Sequence, residues 1–360
     1  MMHLAHQADP LADQVVQVLK DASPEVKSLL QQGMKHGVAT IPQAPSSFRA
    51  LLTDAEQAVK EVSTQTLEIA REPYLMMGPL WMSVSLGPGA LVHTYADPGV
   101  AAVLMRTGNL TQQTAARRLL ETQIWNISVL RDGGLSVGGV GYSQTLQVRL
   151  LHARVRSNLL SQGWSHRQGF LPMDQRQMVR TWLDFTFVSW QALMKMGVEL
   201  QDTQLRPIYS MWRLIGRLLG ISPEMLSGIQ DHKDAQMLLD QVDADSGPPS
   251  DDSRTLTRAM LDALGMRLAP VWGMPTEVSV LLVESMCRLF HGDAYADLMG
   301  LKPNWTASLL PIYADANRYR LFRAVHDQDF KLMLFSQSQK AFEMISASLE
   351  GEAAFEKETC

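Results

Sequence analysis

The sequence predicts an all-α protein that forms a single large helical domain. Apolar residues recur at helical spacing through most of the 360-residue chain, and the alternating runs typical of strands are nearly absent. Charged side chains make up 19% of the residues and apolar ones 46%, so we expect a sizeable core and few long disordered stretches. Candidate caps, glycines and prolines stand between the periodic segments, where helix ends are expected.

The ends of the predicted helices are marked by residues that start or stop a helix. Ser23-Pro24 interrupts the first helical region, Thr53-Asp54 is a candidate N-terminal cap, and Gly197 follows the last turn of a long helix. Residues 132–141 contain five glycines, which prevent an ordinary helix there. The segments predicted to be helical are 11–35, 53–71, 98–107, 112–130, 143–162, 174–196, 203–220, 222–242, 253–268, 275–291 and 312–348.

One segment has the composition of an exposed linker. Residues 243–252 are rich in Asp, Ser, Gly and Pro and contain few apolar side chains, so we expect a mobile loop that is open to proteases. The helical pattern is the same on both sides, which favours one domain over two. Within it we distinguish an N-terminal helical extension (1–70), a central core (71–305) and a C-terminal helical segment packed on that core (306–360).

Charge and cysteine content exclude several classes of protein. The net charge of −5 lacks the basic excess of a nucleic-acid-binding protein. The two cysteines, Cys287 and Cys360, are too few for a disulfide framework or a thiolate zinc site. The oligomeric state stays open.

The sequence also bears on membrane association. Its N-terminus lacks a basic region followed by an apolar run, so we expect no secretory signal and a cytoplasmic location. The charge-free stretch 73–96 is long enough to span a bilayer, but Gly78-Pro79 and Gly87-Pro88-Gly89 are expected to break it into buried core segments. We therefore expect no transmembrane span, while peripheral contact with a membrane stays open.

His152 is the first candidate site residue. At helical spacing it shares one face of the helix 143–162 with Arg149 and Arg156. Two guanidiniums and burial would lower the pKa of the imidazole and keep it in the neutral form that binds metals. A single imidazole with nearby cations suits haem better than zinc, because haem needs one axial ligand and cationic partners for its propionates. The alternative is a core histidine whose neighbouring arginines pair with surface acids.

A second candidate group lies on the helix 112–130. Arg118 and Thr122 are four residues apart and share a face, so a positive charge and a hydroxyl are available for a propionate or for bound oxygen. The alternative is an amphipathic helix with an Arg118–Glu121 surface pair. Farther along the chain, three polar residues of the helix 174–196 are predicted to lie on a solvated face: Asp174, Arg180 and Asp184.

Together these motifs resemble a known family over roughly residues 70–305. The motifs are Leu86-Gly87-Pro88-Gly89-Ala90-Leu91, Asp97-Pro98-Gly99-Val100-Ala101, Arg118-x-x-x-Thr122, the glycine-rich loop, Arg149-Leu150-Leu151-His152-Ala153-x-Val155-Arg156, Gly169-Phe170-Leu171-Pro172-Met173-Asp174-Gln175 and Trp212-Arg213-Leu214-Ile215-Gly216. They are similar to those of the b-type haem oxygenases that include latex clearing protein and the mycophenolic-acid oxygenase. The resemblance implies a globin-like core that encloses haem b, with residues 71–305 as the catalytic part.

The resemblance also implies roles for individual residues. His152 matches the proximal haem ligand, and Arg118 and Thr122 match polar residues of the helix that covers the haem. Arg149 and Arg156, which flank the histidine in the same motif, are assigned to cofactor binding. Glu121 stands where rubber-cleaving members have a lysine that can serve as a distal ligand, so that ligand is not expected here. We assign Glu121 a part in proton transfer, and none to Asp97, which stands where relatives often have histidine.

The expected function is therefore that of a haem b-dependent oxygenase. We expect it to use dioxygen to oxidise or cleave a carbon–carbon double bond of an apolar isoprenoid or unsaturated lipid-like substrate. Two alternatives remain: a haem-binding sensor or storage protein, and a haem-free helical protein that binds ligands or partners. If His152 is not the ligand, His93 and His291 are the next candidates, because they also lie in apolar surroundings.

Overall fold

The computed structural model describes residues 7–108, 112–164, 171–349 and 353–356, and within these ranges it contains helices and no strand. The all-α prediction is confirmed. The first α-helices are α1 (Pro10–Leu19), α2 (Pro24–His36), α3 (Ser46–Lys60), α4 (Thr64–Val84), α5 (Val92–Ala96), α6 (Pro98–Thr107), α7 (Gln112–Val129), α8 (Val140–Ser161) and α9 (Gln175–Leu183). They are followed by α10 (Ser189–Lys195), α11 (Asp202–Leu218), α12 (Pro223–Leu226), α13 (His232–Asp243), α14 (Asp251–Trp272), α15 (Thr276–His291), α16 (Asp293–Leu298), α17 (Leu310–His326) and α18 (Gln328–Ala347).

Short polar side chains cap the N-termini of about half of these helices. Asp97 accepts hydrogen bonds from the main-chain N–H groups of Gly99 and Val100, so α6 begins at Pro98 as predicted. Thr53-Asp54 is not a cap, because it lies inside α3; the next helix is instead capped by Ser63. The predicted helices 222–242 and 312–348 are each divided in two, the latter at Asp327, which caps α18.

The helical run that begins with α4 continues through residues Ser85–Leu91 and α5 to residue 96, across the sites where the sequence predicts breaks. Gly78 is non-helical, with φ of 75°, and produces a kink before Pro79. Pro79 has no N–H to donate to the Leu75 carbonyl, which instead accepts a hydrogen bond from the Ser338 hydroxyl of α18 at 2.6 Å. Gly87-Pro88-Gly89 causes no break, because residues Ser85–Leu91 form a π-helical segment that joins α4 to α5.

The run Thr64–Ala96 lies in the interior of the protein. It is long and apolar enough to cross a membrane, but 83% of its most apolar window is buried against other helices. A core helix passes the same test of length and composition. The apolar core is one cluster that extends from Ala12 to Phe355, so the described helices form one domain. The finer division at residues 70 and 305 stays a prediction.

The predicted linker 243–252 is tied to the core. Asp243 ends α13, where its carboxylate bonds Arg180 and lies 3.2 Å from the His93 ring. The Ser246 hydroxyl donates to the Asp97 carboxylate at 3.0 Å. Arg254 donates to the Pro249 carbonyl at 3.3 Å. These anchors argue against the predicted mobility, because Asp243 and Ser246 bond the buried side chains of Arg180, His93 and Asp97.

Candidate functional site

Helices α7 and α8 form an antiparallel hairpin around the glycine-rich loop. Gly141 packs on the main chain of Ser128 and Val129, since a Cβ atom there would lie 2.6 Å from the Ser128 oxygen and the Val129 Cα atom. Farther from the loop, the Trp125 indole donates to the Thr145 hydroxyl at 3.0 Å. These two contacts fix the register of the hairpin. Two helical turns beyond Trp125 and Thr145, Arg118 and His152 lie at the same level of the facing helices.

The His152 ring lies in the environment that the sequence predicts. Burial, followed by the charge of Arg156, lowers its pKa to about 4, against a smaller opposing effect of Asp9. The ring is therefore neutral at pH 7. Its Nδ1 atom is buried and has no hydrogen-bond partner among the described residues. The Nε2 atom of His232 shares this property, although the other nitrogen of that ring accepts or donates a hydrogen bond with Tyr209 at 2.8 Å.

The arginines beside His152 have protein partners. Arg149 is 3% exposed and bonds both carboxylate oxygens of Asp9 at 2.6 and 2.9 Å. Arg156 bonds Asp13 at 2.6 Å and the Met173 carbonyl at 3.2 Å. These ion pairs attach α1 to α8 and occupy both guanidiniums. Both side chains therefore anchor α1 to α8, and their predicted role in cofactor binding stays a prediction.

Arg118 and Thr122 lie on α7, but their side chains are directed to different neighbours. The Arg118 guanidinium lies against Gly108, where a Cβ atom would be 2.7 Å from its Nη2 atom, and its charge acts on Tyr95. Thr122 lines a cleft between α4, the π-helical segment, α7 and α14. Neither side chain is among the charges or bonds that act on the His152 ring. The structure thus brings Arg118 and His152 to one level of the hairpin without bringing the guanidinium to the imidazole.

Glu121 is buried, and its carboxylate has two hydrogen-bond partners. Its carboxylate accepts from the Arg117 Nε atom at 2.9 Å and from the main-chain N–H of Ala354 at 3.2 Å. Glu121 thus forms its ion pair with Arg117. The alternative drawn from the sequence was a pair between Arg118 and Glu121. Gln144 of α8 bonds Glu356 at 3.1 Å, so the segment 353–356 is held against both helices of the hairpin.

A buried charged network, which the sequence reasoning missed, lies next to the two π-helical segments. Asp184 is fully buried and bonds the His93 Nδ1 atom at 2.7 Å and the Thr94 hydroxyl at 2.7 Å. Arg180 donates to the His93 carbonyl at 2.8 Å and to Asp243 at 2.6 Å. Burial and Arg180 lower the pKa of His93, but Asp184 and Asp243 outweigh them and leave it raised. The prediction of a solvated face for Asp174, Arg180 and Asp184 is wrong, since all three are buried.

The reason for this miss is that α9 is covered on the side that its charges occupy. Arg176 bonds Asp97 at 3.0 Å, so the capping residue of α6 also holds α9. His291 stacks on His93 with ring centroids 6.0 Å apart and bonds the Pro88 carbonyl at 2.8 Å. Both candidate replacements for His152 therefore have hydrogen-bond partners. In the sequence, the apolar residues around His93 were the one indication that it lies in the interior near this network.

The neutral His152 ring has the chemistry of a ligand to haem iron. In the part of the chain that the structure describes, no three His, Cys, Asp or Glu side chains converge as such an ion would require. Haem iron needs one axial imidazole, and His152 offers a neutral one with a nitrogen free of hydrogen bonds. His152 therefore fits the group, while Arg149 and Arg156 bond Asp9 and Asp13.

Comparisons with known proteins agree with the fold. Residues 74–325 match the family described as "ER-bound oxygenase mpaB/B'/Rubber oxygenase, catalytic domain". Among solved structures, the chain is similar to latex clearing protein in the closed state, with a TM-score of 0.62 and 17% sequence identity. The similarity covers 98% of this chain and 88% of that one, and at this identity it shows a shared fold alone. No curated protein matches the chain significantly.

Proposed function

Because the chain belongs to the family of mpaB-type and rubber oxygenase catalytic domains, we propose that it is a haem b-dependent oxygenase with His152 as axial ligand. The observation that carries the proposal is the neutral, partly buried His152 imidazole, whose buried Nδ1 atom has no partner among the described residues. When bound, haem supplies the iron that activates dioxygen. The rest of the site binds the substrate and excludes water.

We propose that the substrate is apolar and carries a carbon–carbon double bond, as in an isoprenoid or an unsaturated lipid. Support comes from the cleft beside Thr122, which is walled by leucines: Leu86, Leu91, Leu119 and Leu264. Apolar walls with a few polar groups are typical of small-molecule sites. Oxidation or cleavage of the double bond is the reaction class that we expect.

The polar residues of α7 have distinct proposed roles. Thr122 lies on the cleft wall, where its hydroxyl can donate a hydrogen bond to a bound ligand. Arg118 contributes a positive charge at the level of His152 on the facing helix. Glu121 positions α7 against the segment 353–356, and proton transfer by its carboxylate would first require release of Arg117 and Ala354.

The test is haem retention by single variants. We expect His152→Ala to lose haem after expression with iron and a haem precursor, whereas Arg118→Ala keeps haem but takes up less oxygen with alkene substrates. His232→Ala is the matched control, because His232 also has a buried nitrogen without a partner. The absorption spectrum in the Soret region and the iron content measure retention, and an oxygen electrode measures turnover.

The possible results separate the functions. Loss of haem from His232→Ala, with retention and an unchanged spectrum in His152→Ala, would refute the assignment of His152. Haem binding without oxygen uptake on any alkene would indicate a sensor or store. A wild-type protein without a Soret band would indicate a haem-free helical protein.

A further inference from the structure

Tyr209 of α11 has a base beside its buried hydroxyl group. The residue is 1% exposed, and its hydroxyl oxygen lies 2.8 Å from the Nδ1 atom of His232, the first residue of α13. The two rings meet at an angle of 77°, with centroids 5.7 Å apart. Phe187 also contacts the imidazole, with centroids 5.6 Å apart. These contacts hold both rings, so the hydrogen bond between them has a fixed geometry.

In this pair the Tyr209 hydroxyl donates the hydrogen bond. Burial raises the pKa of the hydroxyl, and burial lowers the pKa of His232 against a smaller opposing effect of Asp231. Both groups are therefore neutral at pH 7. If Nδ1 donated instead, the hydroxyl proton and the lone pair of the buried His232 Nε2 atom would both lack a partner among the described residues. Nδ1 is thus placed to receive the hydroxyl proton.

The other two tyrosines of the apolar core have no such base. The Tyr142 hydroxyl is buried without a hydrogen-bond partner among the described residues. The Tyr74 oxygen accepts hydrogen bonds from the indoles of Trp190 at 3.0 Å and Trp212 at 2.8 Å, and an indole N–H only donates. Loss of an electron turns a phenol into a very strong acid, so oxidation is favoured where a base can take the proton. Tyr209 meets this requirement.

A row of buried aromatic rings joins this pair to α7. Trp212 lies one turn from Tyr209 on the same face of α11. Its ring contacts that of Trp125 on α7, with centroids 6.4 Å apart, and Phe185 contacts both rings. Trp125 lies one turn from Thr122, to which the proposed function assigns a contact with bound ligand. Because the rate of electron transfer falls steeply with distance, contacting rings provide a short path from α7 to Tyr209.

We propose that Tyr209 and His232 form a redox-active pair, which gives up one electron to oxidised haem when no substrate is present. The inference goes beyond the proposed function and rests on it for the oxidant, which is haem that hydrogen peroxide has oxidised. The haem gains the electron that the Tyr209 ring loses, and the hydroxyl proton moves to the His232 Nδ1 atom. The products are a neutral tyrosyl radical and an imidazolium, which the Asp231 charge stabilises. The oxidising equivalent thus leaves the haem for a defined side chain.

The experiment detects the radical by electron paramagnetic resonance in two arms. In the peroxide arm, haem-loaded protein is mixed with hydrogen peroxide and frozen rapidly. In the photochemical arm, haem-free protein is oxidised by a flash of light with tris(bipyridine)ruthenium and persulfate. Ring-deuterated tyrosine identifies a tyrosyl signal. Every protein carries Tyr319→Phe, because Tyr319 is 68% exposed and would react directly with a soluble oxidant.

Three further substitutions are compared in this Tyr319→Phe parent. Tyr209→Phe removes the hydroxyl, and His232→Gln keeps a hydrogen-bond acceptor that cannot take the proton. Tyr142→Phe is the matched control, because it removes a core hydroxyl that has no base. Far-UV circular dichroism and thermal unfolding verify that each variant is folded.

We expect the parent and Tyr142→Phe to give a tyrosyl signal that Tyr209→Phe loses. His232→Gln should form the radical about a hundredfold more slowly, since the proton has no nearby acceptor. A tyrosyl signal that persists in Tyr209→Phe would overturn the inference. An unchanged rate in His232→Gln would do the same, because it would show that the hydrogen bond is merely structural.

The two arms separate this inference from the proposed function. If the protein binds haem, the peroxide arm decides, and a parent without a tyrosyl signal there overturns the inference while the oxygenase function stands. If the protein binds no haem, the proposed function fails. The photochemical arm then decides whether Tyr209 and His232 form a redox-active pair, and a parent without a tyrosyl signal overturns that too.

Discussion

At the scale of single residues, Asp174 is a buried carboxyl group whose surroundings favour its protonated form. Its Oδ1 atom accepts a hydrogen bond from the Gln177 N–H and caps α9, but its Oδ2 atom is buried without a partner. Burial raises the pKa of this carboxyl to about 7. The pKa of an aspartate side chain in an unfolded chain is about 3.9. The folded state is therefore penalised as Asp174 ionises.

Asp174→Asn should be more stable than wild type at pH 8, and this difference should be much smaller at pH 4. At pH 4 the folded carboxyl is protonated and the unfolded one is about half protonated, so little penalty is present. Stability is lost as the pH rises from about 4 to about 7, by up to about 4 kcal/mol in total, because the folded carboxyl stays protonated where the unfolded one ionises. Asparagine keeps the capping oxygen and cannot ionise. Urea unfolding of both proteins at pH 4 and pH 8 measures the effect, and an equal difference at the two pH values would contradict it.

Residue roles were predictable only where the local sequence determines them. The neutral state of His152 follows from its helix and neighbours, and the structure agrees with it. The partners of Arg149 were not predictable, because Asp9 lies 140 positions away and no spacing rule joins two helices so distant in sequence. For the same reason, the charges of α9 gave the pattern of a solvated face although Asp97 and Asp243 cover them.

At the scale of elements, the α7–α8 hairpin depends on the close contact at Gly141. A Cβ atom there would meet main-chain atoms of Ser128 and Val129, which cannot move without displacing α7. We expect Gly141→Ala to destabilise the protein by about 1–3 kcal/mol or more, and to weaken haem retention because Arg118 and His152 lose their common level.

Gly133→Ala serves as the control for this prediction. Gly133 belongs to the same loop and has φ of +63°, but a Cβ atom there would meet nothing within 4 Å. Its cost should be confined to the left-handed backbone, about 1–2 kcal/mol, with haem retention unchanged. Thermal unfolding and Soret absorbance measure both variants. Equal haem loss in the two would show that the loop conformation, and not the helix contact, determines the site.

Helix positions were predictable where caps and prolines mark them, and less so where the helix type changes. The predicted helix 98–107 coincides with α6, because Asp97 and Pro98 are sufficient to start it. The π-helical segments Ser85–Leu91 and Asp184–Val188 were not predictable, since a π-turn depends on neighbours such as His291, which bonds the Pro88 carbonyl. Their effect is large, because they place His93 and Asp184 in contact.

At the scale of the whole molecule, the segment between α13 and α14 should resist proteolysis. Asp243 and Ser246 bind buried partners, and Arg254 holds the Pro249 carbonyl. Brief digestion of the native protein with proteinase K should therefore spare residues 243–252. Ser246→Ala removes one anchor and should speed cleavage there severalfold, as mass spectrometry of the fragments would show. Rapid cleavage of wild type at this segment would contradict this prediction and support the mobile linker that the composition suggests.

The α7–α8 hairpin also receives two segments that are remote from it in sequence. Helix α1 attaches through Asp9 and Asp13, and Ala354 and Glu356 attach 233 and 212 positions from their partners Glu121 and Gln144. During synthesis on the ribosome, α1 emerges long before α8, and the hairpin emerges long before the segment 353–356. Contacts between such distant positions form late and slowly. A nascent chain therefore exposes an incomplete hairpin until the segment 353–356 has been translated, so the hairpin is completed only at a late stage of the protein's biogenesis.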